Sequence, residues 1–170
     1  MNSIIRLRKF PYPYRAVLAI CSDLDNTPSL DIYLQMMDYL NGNSDTPWGK
    51  GLGLEIGNSF WFFNKTSSFQ MSYFRNSTRE ETPFASVCRD FWISGHVDVM
   101  HTYGDFDEGG FSRKYAELAL EELYAHGASI LVWVNHGNEN NTQNVGLFEY
   151  HHGSNPDKVV SIILCKNEKD

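Results

Sequence analysis

No stretch of this sequence reaches the about 18 consecutive apolar residues that a membrane helix needs, so no membrane span is expected. Arg6, Arg8 and Lys9 lie near the start, but no apolar segment follows them before Pro11 and Pro13, and no secretory signal is read there. Cysteine is scarce. Cys21, Cys88 and Cys165 are an odd count without metal spacing, which argues against a disulfide framework. Cys21 and Cys165 fall in apolar runs and are expected as small buried thiols in a reducing compartment, so a cytoplasmic location is expected. With no signal, Asn64-Lys65-Thr66, Asn76-Ser77-Thr78 and Asn140-Asn141-Thr142 are read as chance matches to the glycosylation pattern. Basic residues are few and scattered, and the net charge is −7, which excludes a general nucleic-acid binder. There is no internal repeat and no low-complexity tract.

What remains is a globular composition. Hydrophobic residues make up 42% and charged residues 21% of 170 residues, enough to bury one core, so residues 1–170 are read as a single domain. Aromatic content is high at 14%, and much of it lies in Phe60-Trp61-Phe62-Phe63, Phe69, Tyr73, Phe74, Phe91 and Trp92. Core and loop packing is the simpler reading of these rings. The sharper one is a platform for carbohydrate, because aromatic faces stack on sugar rings.

Apolar runs alternate with helical periodicity. Residues 15–22 read as a strand, with Val17 to Cys21 buried on both faces. Thr27 can cap a helix with Pro28 at its first position, and Leu30, Leu34 and Met37 follow at helical spacing until Asn41-Gly42. Leu52 to Ile56 reads as a second strand, stopped by Gly57-Asn58. Residues 58–84 have no clean period and read as a long loop or insertion covering a site. A short helix is expected at 84–94 and a third strand at Val97–Met100. Ser112 opens the most regular helix, with Ala116, Ala119, Leu120, Leu123 and Tyr124 on one face and Gly127 closing it. Ser129–Val134 and Val159–Leu164 read as two more strands, with loop at 138–157 between them. Strands alternating with helices imply an α/β fold with a mostly parallel sheet.

Each strand ends in polar residues. Asp23 and Asp25 follow the first, Asn58 the second, His101, Thr102 and Asp105 the third, and Asn135 and His136 the next. In a parallel sheet these ends share one edge, where α/β folds place their chemistry. An Asp-x-Asp pair there can ligate a divalent cation with one carboxylate and move a proton with the other. Asp25 is the ligand and Asp23 the general base on this reading. The alternative for the pair is an Asx-turn with a helix cap. His101 and Asp105 are four apart, close enough for one turn to bring both to a metal. His96 is five residues before His101, on the opposite strand face, and reads as structural or surface. His126 reads as a favourable charge at a helix end, and His151 and His152 as loop residues. Mixed imidazole and carboxylate donors suit Zn, Fe, Mn or Co.

These residues resemble the polysaccharide deacetylase family, carbohydrate esterase family 4. Ser22-Asp23-Leu24-Asp25-Asn26 resembles its first motif of paired acids, in which the first is base and the second ligand. His101-Thr102-Tyr103-Gly104-Asp105 is similar to its His-Ser/Thr-x-x-His motif, with Asp in place of the last His. Trp133-Val134-Asn135-His136-Gly137 resembles a strand-end element of divergent members linked to surface polysaccharide synthesis. The resemblance spans roughly residues 15–137. It implies a distorted, mostly parallel (β/α) barrel, here incomplete because the chain offers four or five strands. It also implies removal of acetyl groups from an N- or O-acetylated sugar or polysaccharide. Asp25, His101 and Asp105 would hold zinc, or Fe, Mn or Co, with Asp23 as base; the family's usual leaving-group acid has no match here, and His136, the candidate acid, or His152 would substitute for it. Tyr103 and Trp133 are candidates for the sugar pocket. Asp23-Leu24-Asp25-Asn26-Thr27 is also similar to the first motif of the haloacid dehalogenase superfamily, which implies a Mg²⁺-dependent phosphatase. That reading finds no later acidic motif and leaves the histidines at strand ends unexplained. A non-catalytic carbohydrate-binding protein is the third alternative.

Overall fold

The computed structural model describes residues 9–16, 18–23, 25–65, 70–137 and 140–144. Among these, the elements run α1 (Leu30–Asn41), β1 (Asp45–Thr46), β2 (Gly49–Lys50), β3 (Asn58–Phe60), β4 (Phe63–Asn64), α2 (Pro83–Ser94), β5 (Val97–His101), β6 (Gly104–Asp105), α3 (Arg113–Ala125) and β7 (Val132–Val134). The expected strand at Val159–Leu164, together with Cys165, His151, His152 and Phe69, lies outside the described residues. No helix among the described residues is long and apolar enough to cross a membrane.

Local sequence explains where the helices begin and end. Ser29, not Thr27, caps α1: its hydroxyl accepts from Ile32 N at 3.3 Å. Thr27 is buried, and its carbonyl accepts from Met71 N, so it anchors a crossing segment instead. For α2 the signals agree. Thr82 Oγ1 accepts from Phe84 N, Pro83 occupies the first turn, and Gly95 closes the helix at φ 75° while its N–H reaches the Phe91 and Trp92 carbonyls. Ser112 stands at the start of α3, and Gly127 follows its end at φ 64°.

The central sheet has the order β3-β5-β7, all parallel. The residues before α1 join it at the β3 side through a single parallel bridge, Cys21 to Gly57, held by Gly57 N to Ile20 O and Ser22 N to Gly57 O. Sequence order therefore equals spatial order, with one helix in each crossover. The chain is mixed α/β with parallel sheets, and no closed barrel is formed among the described residues.

The sheet breaks just past His101. Thr102 sits at φ 53°, and the same two neighbouring strands resume pairing as β4 with β6, Phe63 opposite Gly104 and Asn64 opposite Asp105. A Cβ at position 104 would be driven into the Phe63 carbonyl, so only glycine lets the two backbones meet again. This kink moves Tyr103–Asp105 out of line with β5 and leaves His101 as the last residue of the main sheet.

The segment expected as a long loop, 58–84, supplies the centre of the core. Phe60, Trp61, Phe62, Phe63 and Tyr73 are fully buried, with Phe74, Phe84 and Trp92 packed around them. Aromatic rings meet in edge and tilted pairs, such as Phe60 with Phe62 at 5.1 Å and Phe62 with Tyr73 at 5.3 Å. Consecutive apolar residues hide any period when both faces of a strand are covered, which is why this stretch reads as patternless. The sugar-platform reading of these rings fails with it, because they are inside.

Two expected strands come out differently. Leu52 to Ile56 forms no strand; Leu52 N and Leu54 N donate to the Tyr39 and Leu40 carbonyls and so satisfy the end of α1, with Leu52 and Leu54 exposed. The first strand reduces to its one bridge. Leu18 is 83% exposed, and Ile20 and Cys21 are exposed as well, so Cys21 is not the buried thiol expected. An apolar run records a tendency to pair and not which side of a sheet it will occupy. Leu131 and Val132 are exposed at the opposite edge in the same way.

Phe62→Ala should lower stability by about 3–5 kcal/mol, the cost of removing a buried aromatic ring from a packed core. Urea unfolding should show a lower midpoint at an unchanged slope.

Candidate metal centre

The ends of β5 and β7 and the turn after the Cys21 bridge meet at one place. The β5–β7 register sets His101 opposite Val134, and His136 follows two residues on. On the other side, Asp23 and Asp25 form a turn in which Asp25 N donates to Asp23 Oδ1 at 3.0 Å. The Asx-turn of the alternative reading is thus formed, but its helix cap is not, since the cap falls on Ser29. His101 Nδ1 lies 3.2 Å from Asp23 Oδ1 and 3.7 Å from Asp25 Oδ1. His136 Nδ1 lies 3.5 Å from the same Asp25 oxygen. The two imidazoles stand nearly perpendicular with centroids 4.8 Å apart. Trp61, fully buried, packs on both rings at 5.6 and 4.6 Å and fixes their inner side.

Hydrogen bonding decides which atoms are donors. His101 Nε2 is 3.1 Å from the Asn135 carbonyl, which can only accept, so Nε2 carries the proton. In the neutral ring Nδ1 then presents a lone pair to two carboxylates. Burial favours that neutral form and pushes the His101 pKa below its ordinary value, against the pull of Asp23. Burial likewise pushes the Asp25 carboxyl above its usual range, while His136 draws it back down. Both His101 Nδ1 and Asp25 Oδ1 are buried with no hydrogen-bond partner among the described residues. Lone pairs facing lone pairs call for a cation. Ligand atoms each about 2.0–2.2 Å from one ion stand about 3–4 Å from one another, the spacing found here. Asp25, His101 and His136 thus form a group whose ligand atoms lie within 4.8 Å of one another and could hold a metal ion.

A second group, Asp105, Asp107 and His136, meets the same distance limit. It uses the other nitrogen: His136 Nε2 is 3.8 Å from Asp105 Oδ1 and 3.9 Å from Asp107 Oδ1. A neutral imidazole has one lone pair, so His136 can serve one side as ligand and the other only as N–H donor. The structure therefore brings Asp23, Asp25, His101 and His136 together. Asp105 stands behind His136 rather than beside His101, because the kink at Thr102 carries it away from the β5 line. Tyr103 is buried and packs on the half-buried Trp133 at 4.6 Å. His96 is exposed and bonds Ser94 Oγ, and His126 pairs with Glu122 at 3.1 Å.

Sequence reading missed Asp107 and a set of buried amides. Gln143 accepts from Tyr103 N and donates to the Gly104 carbonyl and to Asn141 Oδ1. Asn141 donates to Asp107 Oδ1 and the His136 carbonyl, and Asn144 bonds both the N–H and the carbonyl of His136. These side chains staple the loop after β7 onto the kink and fix His136. The available signal was the run Asn140-Asn141-Thr142-Gln143-Asn144, rich in side chains that donate and accept at once.

Replacing Asp25, His101 or His136 by alanine should weaken zinc affinity by more than about 100-fold, whereas Asp105→Asn should cost about 10-fold, the scale of an orienting partner. Equilibrium dialysis with zinc, and the visible spectrum of the cobalt form, would measure both. Equal losses in Asp105→Asn and Asp25→Asn would make Asp105 a ligand.

Family models, curated proteins and solved structures yield no match to this chain.

Proposed function

We propose that this protein is a metal-dependent hydrolase that removes acetyl groups from an N- or O-acetylated sugar or polysaccharide. The observation that carries the reading is the His101 Nδ1 lone pair turned toward two carboxylates, with a second imidazole on Asp25. One Asp and two His are a donor set that favours zinc, with iron, manganese or cobalt as substitutes. The site lies at the carboxyl edge of parallel strands laid down in sequence order, and that order supports the reading of an incomplete (β/α) barrel.

When bound, such an ion polarises a carbonyl and lowers the pKa of water to about 7. The chain supplies the rest. Asp25, His101 and His136 hold the ion, and the Asn135 carbonyl and the carboxylates of Asp105 and Asp107 orient the two imidazoles. Asp23 keeps a side chain 63% exposed at the rim, where it can accept the proton of an attacking water. The water oxygen bonds to the acyl carbon, the bond from that carbon to the sugar nitrogen or oxygen breaks, and Asp23 returns the proton to the leaving group. His136, the acid expected from sequence, is assigned instead to the ion through Nδ1, since its Nε2 faces Asp105 and Asp107. A Mg²⁺ phosphatase built on Asp23 and Asp25 gains nothing from two imidazoles at Asp25, because magnesium takes oxygen ligands.

Acetate release from acetylated chito-oligosaccharide and acetylated xylan tests this. Zinc-loaded protein should hydrolyse one of them, chelation should abolish turnover, and Asp23→Asn should cut kcat by about 10²–10⁴-fold with zinc still bound. Turnover of an aryl phosphate with Mg²⁺, and no acetate release, would overturn the proposal in favour of the phosphatase.

A further inference from the structure

Beside the metal centre lies a cavity of about 170 Å³ lined by Cys21, Ser22, Asp23, Ser59, His101 and Val134. Ordinary ligand pockets hold about 300–1,000 Å³, so this one suits a small substituent of a larger molecule. Two of its lining residues, Asp23 and His101, belong to the candidate centre, so whatever enters meets the chemistry directly. Ser59 is the unexplained member. It sits in the middle of β3, 1% exposed, followed directly by the buried aromatic run from Phe60. Its backbone is fully engaged: its N–H donates to Ser22 Oγ at 3.3 Å, and its carbonyl accepts from the Tyr33 hydroxyl at 3.1 Å. Its own hydroxyl is buried without a hydrogen-bond partner among the described residues. A buried hydroxyl without a partner calls for an explanation, and Ser59 is one of the residues that line the cavity.

We propose that the Ser59 hydroxyl donates to the acyl oxygen of the substrate. The inference rests on the hydrolase reading and adds to it the group that recognises the acyl end. As water attacks, negative charge grows on the acyl oxygen, and a fixed donor strengthens its bond as that happens. Ser59 forms no covalent bond and keeps its proton.

Acetate is the probe, because it carries the acyl carbon and both product oxygens. Isothermal titration of acetate into the zinc-loaded full chain should show binding, about tenfold weaker in Ser59→Ala with zinc affinity unchanged, the scale of one lost hydrogen bond. Ser59→Thr keeps a hydroxyl and should stay close to the native acetate affinity. Equal acetate affinity in native and Ser59→Ala protein overturns the role of Ser59 while leaving the metal centre standing. Equal loss in Ser59→Ala and Ser59→Thr assigns the effect to packing and overturns it too. Failure of the native chain to bind zinc, or of its zinc form to bind acetate, defeats the hydrolase reading itself.

Discussion

One hydrogen bond, from His101 Nε2 to the Asn135 carbonyl, sets the polarity of the whole site. It spends the imidazole proton on the backbone and leaves Nδ1 as an acceptor facing other acceptors. The bond exists because β5 and β7 are parallel neighbours in a fixed register, with His101 opposite Val134 and Asn135 one residue beyond. A slip by one residue would turn His101 to the other face of the sheet. The sheet pairing thus determines the chemistry through a tautomer. Burial reinforces the choice, since a desolvated ring resists the second proton that would otherwise satisfy Asp23 and Asp25.

The surroundings of the site show how such a cost is sustained. Acceptors facing acceptors in a buried place are unfavourable in an apoprotein. Around them lies a rigid shell: Trp61 against both imidazoles, the re-paired strands β4 and β6 beyond the kink, and the amides of Asn141, Gln143 and Asn144 holding the loop that carries His136. Every one of those amides is occupied by backbone or side-chain partners, so the loop has little freedom to turn His136 away and relieve the repulsion. An apoprotein preorganised in this way loses little further freedom when a cation arrives.

The sequence carried the strand-end logic and not the geometry between strand ends. Asp23, Asp25, His101 and His136 could be placed on one edge because each follows an apolar run, and a parallel sheet gathers such ends. The same logic could not say that Thr102 would adopt a positive φ and swing Asp105 behind His136, since nothing in His101-Thr102-Tyr103-Gly104-Asp105 distinguishes a helical turn from a broken strand except Gly104, whose role depends on how closely Phe63 approaches. The helices were legible from period, α3 especially; the cap of α1 was misplaced from Ser29 to Thr27, and α2 was expected at 84–94 without its cap. The aromatic centre at 60–63 was not, because residues buried on both faces have no period to read. Leu52 and Leu54 were misplaced for a related reason: apolar alternation is the same whether a segment pairs with a strand or with the open carbonyls of a helix end.

The two carboxylates differ only by where one turn puts them, and that difference divides their work. Asp25 N donates to Asp23 Oδ1, so the second residue is folded inward by the first. The inner carboxylate sits 36% exposed with one oxygen wholly buried between two imidazoles, and burial raises its pKa, so it profits most from a permanent positive partner. The outer one keeps 63% of its side chain in solvent, open to water. A base must cycle between two states and a ligand must stay in one. On the proposed reading the inner place suits the ligand and the outer place the base.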